Sequence, residues 1–367
     1  MGVIRFNGIS SADFGCTIER RPNHTRGSRR GELIEIPGRN GAIVLEDGSY
    51  STYVQQYVVA FEEGDTMPPY KRAEQVAAWL LGSHGFCRLE DDFEPDVYRM
   101  ARYAGPLNIE QVASEYGRCV IEFECQPQRY LKIGEMQINF EHIRLFSDSI
   151  ECYSKLYGVP DNVSKVVFAS TSQHSYIKLE NPDTGTESRR DGVFQSDGEW
   201  TSYYLSELNV EEGYTTLTAT TGGLGGTIPV GTNLLFFEGE NGDRTQILEF
   251  NESDFILINP TQNEARPLMR FAVHGEQGNP PPSNTVATIN GTTVTIDFPD
   301  GEDVWLDCDL HDAYLLGGAN ANSLVTFTSE TDAYPTFPSF GGGRQYIEAE
   351  NDGRTSDIEI TPRWWAL

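Results

Sequence analysis

Between residues 163 and 239 the chain is built from short runs, VSKVVFAS, EWTSYYL, YTTLTAT and TNLLFFEG, rich in β-branched and aromatic residues and separated by turn formers. Runs of this length and composition suit a pleated, half-buried strand rather than a helix. At this spacing, strands pair with their sequence neighbours and stack as an all-β sandwich. The pattern continues through ILEFNESDFILINP, PLMRFAVHG, TVATINGTTVTIDF, VWLDCDL and SDIEITPRWWAL. Asn290-Gly291, set between two alternating runs, is the strongest hairpin signal in the chain. Upstream, GELIEIPGR, STYVQQYVVAF, GFCRL, VYRMARYAG and RCVIEFECQP also read as strands. One helix interrupts them. Over 70–81, Ala73, Val76, Ala77 and Leu80 recur at helical spacing and Trp79 widens the stripe. Pro68 and Pro69 precede it, and Gly82 is placed for a left-handed C-terminal cap. The expected class is mainly β with one clear helix.

At 367 residues, two or three domains are expected. The composition shifts toward Thr, Ser, Gly and Asn near residue 132, and acidity shifts with it. Residues 1–131 carry 14 basic and 19 acidic side chains, whereas 132–367 carry 13 and 36 of the overall net charge of −28. So acidic a second part argues against a grip on nucleic-acid backbones. The six cysteines include no C-x-x-C pair, and their low density argues for reduced thiols rather than a disulfide scaffold. Cys119 and Cys125 share strand parity with Ile121 and Phe123, which places all four on one buried face. MGVIRFNGIS has no signal-peptide core, and no apolar run approaches membrane-spanning length, so no membrane insertion is expected.

Several segments, in a fixed order, resemble one family. IPGRNGAIVL (36–45) is followed by a strand and by the helix ending AAWLLG (77–82). LEDDFEPDVYRMARY (89–103) then leads to VIEFECQPQRYL (120–131). Downstream, INPTQNEARPLMRFAVHG (258–275), WLDCDLHDAY (305–314) and ITPRWWAL (360–367) match more loosely. The chain thus resembles the distal tail proteins (Dit) of long, non-contractile bacteriophage tails. The resemblance implies an N-terminal β-rich ring domain with its helix over 1–131 and a galectin-like β-sandwich over 247–367. The segment 132–246 would be an inserted β-rich domain, carrying carbohydrate-binding or partner-gripping ability and removable without unfolding the rest. It implies a homohexameric ring joining the tail tube protein to the tail-associated hub protein, with receptor-binding proteins or a host cell-wall saccharide as further partners. DNA would only pass through the lumen. The implied location is the virion tail tip, assembled in the bacterial host cytoplasm.

Four stretches invite chemistry. EDDFEPD (90–96) concentrates carboxylates, yet it lies between two strands, contains Pro95 and lacks a calcium-loop pattern, so a solvated turn is expected. RRPNHTRGSRR (20–30) presents Arg20, Arg21, Arg26, Arg29 and Arg30, which could meet phosphates, an acidic neighbour or only solvent. The resemblance implies a projecting loop at this position, which makes a subunit contact the preferred reading. WLDCDLHDAY offers Asp307, Cys308, Asp309, His311 and Asp312. Continued as a strand, it puts Asp307, Asp309 and His311 on one face and Cys308 on the other, an unconvincing metal set. DGEWTSYYLSEL (197–208) places Trp200, Tyr203 and Tyr204 close together, as a sugar-stacking surface or as sandwich core. No nucleophile elbow, zinc-protease helix or phosphate loop occurs, and no cofactor or catalytic residue is expected. The alternative to a structural protein is a glycan-acting β-sandwich enzyme or a stand-alone carbohydrate-binding protein. An enzyme would need carboxylates such as Asp197, Glu199 or Glu207.

Overall fold

The computed structural model describes residues 2–23, 25–61, 69–103, 105, 109–113, 116–146, 149–195, 203–224, 232–250, 255–273, 283–298, 302–330, 332, 334–350 and 356–367. It is mostly β, with one α-helix among these residues. The chain divides into two compact units: residues 1–131 with 365–367, and residues 132–364.

The first unit is a nine-stranded antiparallel sheet. Its path runs Ile9–Ser10, Ile4–Phe6, Cys87–Asp91, Val97–Tyr103, Tyr116–Leu131, Tyr53–Phe61, Cys16–Ile18, and two further strands, Ile109–Ala113 and Trp365–Ala366, also pair with Tyr116–Leu131. Alternation drives the strand Tyr53–Phe61, where Tyr53, Gln55, Tyr57, Val59 and Phe61 all point inward and are buried. Across the sheet, Cys119, Ile121, Phe123 and Cys125 form the matching buried row. Phe123 sits at the centre, with its ring 4.9 Å from Phe6, 6.1 Å from Tyr57 and 6.2 Å from Tyr103.

The helix, Pro69–Leu81, covers this core with Val76, Trp79 and Leu80. The Trp79 indole N–H donates to the Phe6 carbonyl at 3.1 Å, which satisfies its polar edge inside the core. Arg72 is buried as well, its guanidinium 5.5 Å from the centre of the Phe61 ring. The expected left-handed cap at Gly82 does not form. Gly82 N–H instead donates to the Ala78 carbonyl at 2.9 Å, extending the helical bonding, and Gly85 takes the positive φ, +75°.

The second unit holds a nine-stranded and a ten-stranded antiparallel sheet. They face each other: the Ser170 hydroxyl of one lies 3.4 Å from the Thr221 hydroxyl of the other. Both sheets have a seam. In the nine-stranded sheet, Gln137–Phe146 pairs with Ser356–Thr361; in the ten-stranded sheet, Arg244–Phe250 pairs with Phe255–Asn259. Every described strand from 137 to 250 lies on one side of these seams, and every strand from 255 to 361 on the other. Residues 132–364 form one compact unit, and the expected boundary at 246/247 falls inside the strand Arg244–Phe250. The two halves also share backbone hydrogen bonds rather than standing as separate sandwiches. The cysteines Cys16, Cys87, Cys119, Cys125 and Cys308 are free thiols.

Candidate functional site

One element of the first unit stands apart from its sheet. Among the described residues, Arg29–Glu35 and Ala42–Tyr50 pair only with each other, as a two-stranded antiparallel ribbon. Its base is closed by Ser51 N–H donating to the Ser28 carbonyl at 2.8 Å, and by the Ser28 and Ser51 hydroxyls 3.1 Å apart. Leu33 opposes Val44 on one face, while Ile34 opposes Ile43 on the other, the face that Leu45 shares. Neither face is covered by the described residues: Leu33 is 70%, Val44 54% and Leu45 55% exposed, and Ile34 and Ile36 are also exposed. An isolated two-stranded hairpin is marginal in water, and an uncovered apolar ribbon is a template for pairing with another chain. This ribbon has the chemistry of an interaction surface.

The five arginines expected to act together are separated. Arg20, Arg21 and Arg30 are exposed. Arg29 pairs with Glu46 across the ribbon at 3.0 Å. Arg26 turns the other way and lies 3.5 Å from Glu94, where burial and neighbouring Arg99 lower its pKa, opposed by Tyr53. Within one chain the five arginines thus face different surroundings, Arg29 the ribbon and Arg26 the acidic turn.

Glu94 belongs to the acidic stretch, where the expected turn forms with Asp92, Pro95 and Asp96 exposed, but Asp91 and Glu94 are drawn inward. Asp91 is 4% exposed and Arg99 1%. One Asp91 oxygen accepts the Tyr57 hydroxyl at 2.7 Å and an Arg99 N–H at 3.2 Å; the other accepts the backbone N–H groups of Phe93 and Glu94. Glu94 pairs with Arg99 and, at 2.7 Å, with Arg129. Burial and the Asp91 carboxylate push the Tyr57 hydroxyl well above its usual pKa. Burial, together with the charges of Arg26 and Arg99, lowers Arg129 to about 10. Asp91 and Glu94 fix the turn against Arg26, Arg99 and Arg129, while Asp92 and Asp96 stay exposed, and this arrangement supplies rigidity. Sequence reading missed it because sheet pairing sets Arg99 beside Arg129, and Arg26 reaches the same turn from a distant connection. The Pro95 turn after a carboxylate-rich strand end was its one local signal.

The other candidates resolve as follows. Trp200 lies outside the described residues. Tyr203 and Tyr204 begin the strand Tyr203–Asn209, and Tyr204 packs edge-on against Phe194 at 5.5 Å. Consecutive residues of a strand face opposite sides, so these two do not form one stacking platform. In WLDCDLHDAY the strand Val304–Asp307 ends at Asp307, so the expected alternation through His311 is replaced by a turn. Asp307 holds Arg363 through two hydrogen bonds, of 2.7 and 3.0 Å, and accepts the N–H groups of Asp309 and Leu310. Burial raises the Asp307 pKa, but the Arg363 and backbone bonds outweigh it and the net shift is downward. Cys308 is buried, its thiol pushed far up by desolvation, and His311 lies against the Phe337 ring at 5.4 Å. Among the described residues no three His, Cys, Asp or Glu side chains converge to hold a metal ion. No described helix is long and apolar enough to cross a membrane.

No protein-family model matches the sequence, and no curated protein matches it. Among solved structures the fold is similar to the crystal structure of the SPP1 Dit protein (gp 19.1), described as a paradigm of the hub adsorption apparatus in phages infecting Gram-positive bacteria. The match covers 100% of each chain, with a TM-score of 0.50 and 10% sequence identity. At that identity the likeness is one of fold: this chain is Dit-like in architecture from end to end.

Proposed function

We propose that this protein is a structural component of a bacteriophage tail tip that assembles with copies of itself, and not an enzyme. The observation that carries the reading is the ribbon 29–50, whose uncovered apolar faces need a partner, on a chain whose whole length shares the Dit-like fold. In this reading the first unit forms a six-membered ring at the end of the tail tube, and the ribbon of each copy lies on its neighbour. The tail tube protein and the hub protein are the partners on either side of the ring, with DNA passing through its lumen.

The strands between 137 and 250 are the part we assign to the host-facing side, for adhesion to neutral cell-wall sugar or for gripping a receptor-binding protein. Six copies on one ring would make even weak binding effective. The acidity of the later part of the chain opposes adhesion to anionic polymers. Virion location and assembly in the host cytoplasm follow from the same reading.

Light scattering combined with negative-stain imaging tests it. The purified chain is expected to form rings, and the double variant Leu33→Glu, Val44→Lys to run as a monomer with an unchanged melting temperature. An intact chain that stays strictly monomeric at high concentration overturns the reading.

A further inference from the structure

The chain contains four Asn-Gly pairs, at 7–8, 40–41, 241–242 and 290–291. In such a pair the glycine, lacking a Cβ, leaves its backbone nitrogen free to reach the preceding side-chain amide. The nitrogen, deprotonated by hydroxide, forms a bond to Asn Cγ. The bond from Cγ to the amide nitrogen breaks, and that nitrogen leaves as ammonia after taking up a proton. Water then opens the five-membered imide at either carbonyl, giving aspartate or isoaspartate, with no oxidant or cofactor involved. What decides the rate in a folded chain is whether the side-chain amide and the turn can reach that geometry.

The four pairs differ in this respect. Asn290 is pinned on every side: its amide N–H₂ donates to the Ser339 carbonyl at 3.1 Å and to Gln345 Oε1 at 2.8 Å, and its Oδ1 accepts Tyr346 N–H at 2.9 Å. Asn7 donates its side-chain amide to the Ser83 hydroxyl at 3.2 Å, and its backbone N–H to the Arg88 carbonyl at 2.9 Å. Asn241 is exposed, but its turn is clamped by Gly242 N–H on the Gly239 carbonyl, Gly239 N–H on the Asp243 carbonyl, and the Arg244–Glu238 ion pair at 2.7 Å. Asn40 lies exposed in the connection between the two ribbon strands, where the bond from Arg39 N–H to the Ile36 carbonyl is the one backbone clamp among the described residues. Its neighbours Gly38 and Gly41 both have positive φ, and a Cβ at either would meet nothing within 4 Å.

We infer that Asn40 is a site of spontaneous covalent modification, converting to aspartate and isoaspartate ahead of the other three pairs. Each event replaces a neutral amide with a carboxylate. The isoaspartate form also adds a backbone atom next to the last ribbon pair, Glu35 with Ala42, and so disturbs the register on which the two apolar faces depend. The modification stands on the ribbon's geometry alone, whereas its consequence for assembly rests on the function proposed above.

The test is to age the intact chain in mildly alkaline buffer and follow the four peptides by mass spectrometry, with isoaspartate resolved chromatographically. A denatured sample serves as the intrinsic-rate control. Asn40 is expected to convert at least about tenfold faster than Asn290, because Asn290 must first give up its hydrogen bonds. An Asn40 that stays intact in the folded chain while the denatured chain converts overturns the assignment, as does an Asn290 that keeps pace with it. In parallel, aged protein and the aged Asn40→Gln variant are compared by light scattering. Loss of self-association in the first alone supports the consequence for assembly. Equal self-association in both overturns that consequence and leaves the modification standing on the mass data.

Discussion

Asp91 is the residue on which the first unit's charges turn. It is held by Tyr57, by Arg99 and by two backbone N–H groups, in surroundings that exclude water. In such a place the cost of stripping water from the charges is balanced only while every partner is present, so removing one partner is worse than replacing the whole set. Arg99→Ala leaves Asp91 short of its counter-charge and is expected to cost about 3–5 kcal/mol. Arg29→Ala, which breaks the exposed pair with Glu46, is expected to leave stability nearly unchanged, because solvent and salt screen such a pair. Urea unfolding of the two variants measures both, and equal midpoints would refute the contrast. Asp91 and Arg99 are eight residues apart, but Arg129 arrives from the strand Tyr116–Leu131 and Arg26 from a connection far upstream, so the pattern EDDFEPD could not announce its own burial.

At the scale of the element, close approach decides where glycine is required. Gly134 is buried in the short 3-10 turn Lys132–Glu135, and its carbonyl accepts Arg363 N–H at 2.8 Å. A Cβ there would lie 2.5 Å from the Trp364 backbone nitrogen and 3.2 Å from the Trp364 Cα. Trp364 is fully buried and cannot yield, so Gly134→Ala is expected to destabilise the second unit by about 1–3 kcal/mol through overpacking. Gly341→Ala, where a Cβ meets nothing within 4 Å, serves as the neutral control. Thermal melts of the two variants check this, and matched curves would refute it. The ribbon 29–50 shows the opposite case. GELIEIPGR reads as an alternating strand ending at a Pro-Gly turn, and only the structure reveals that among the described residues no other strand joins the ribbon and neither face is covered.

For the whole molecule, the seams set what can be removed. Deleting 132–250 would strip Gln137–Phe146 from Ser356–Thr361 and Arg244–Phe250 from Phe255–Asn259, leaving two bare strand edges. Uncovered edges pair with other chains, so the deletion variant is expected to aggregate where the intact chain is soluble. A monodisperse deletion variant on size-exclusion chromatography would show that the second half closes by itself. The amino-acid order alone determined the β class, the one helix with Val76, Trp79 and Leu80 inward and the buried row from Cys119 to Cys125, because each follows from periodicity or turn chemistry within a short window. Tertiary structure alone decided the three-arginine cage around the acidic turn, the turn that replaces a strand after Asp307, the sheets shared across residue 250 and the isolation of the ribbon. These depend on which distant strands become neighbours, and hydrogen-bonded strand pairing is a relation between segments that no single segment encodes.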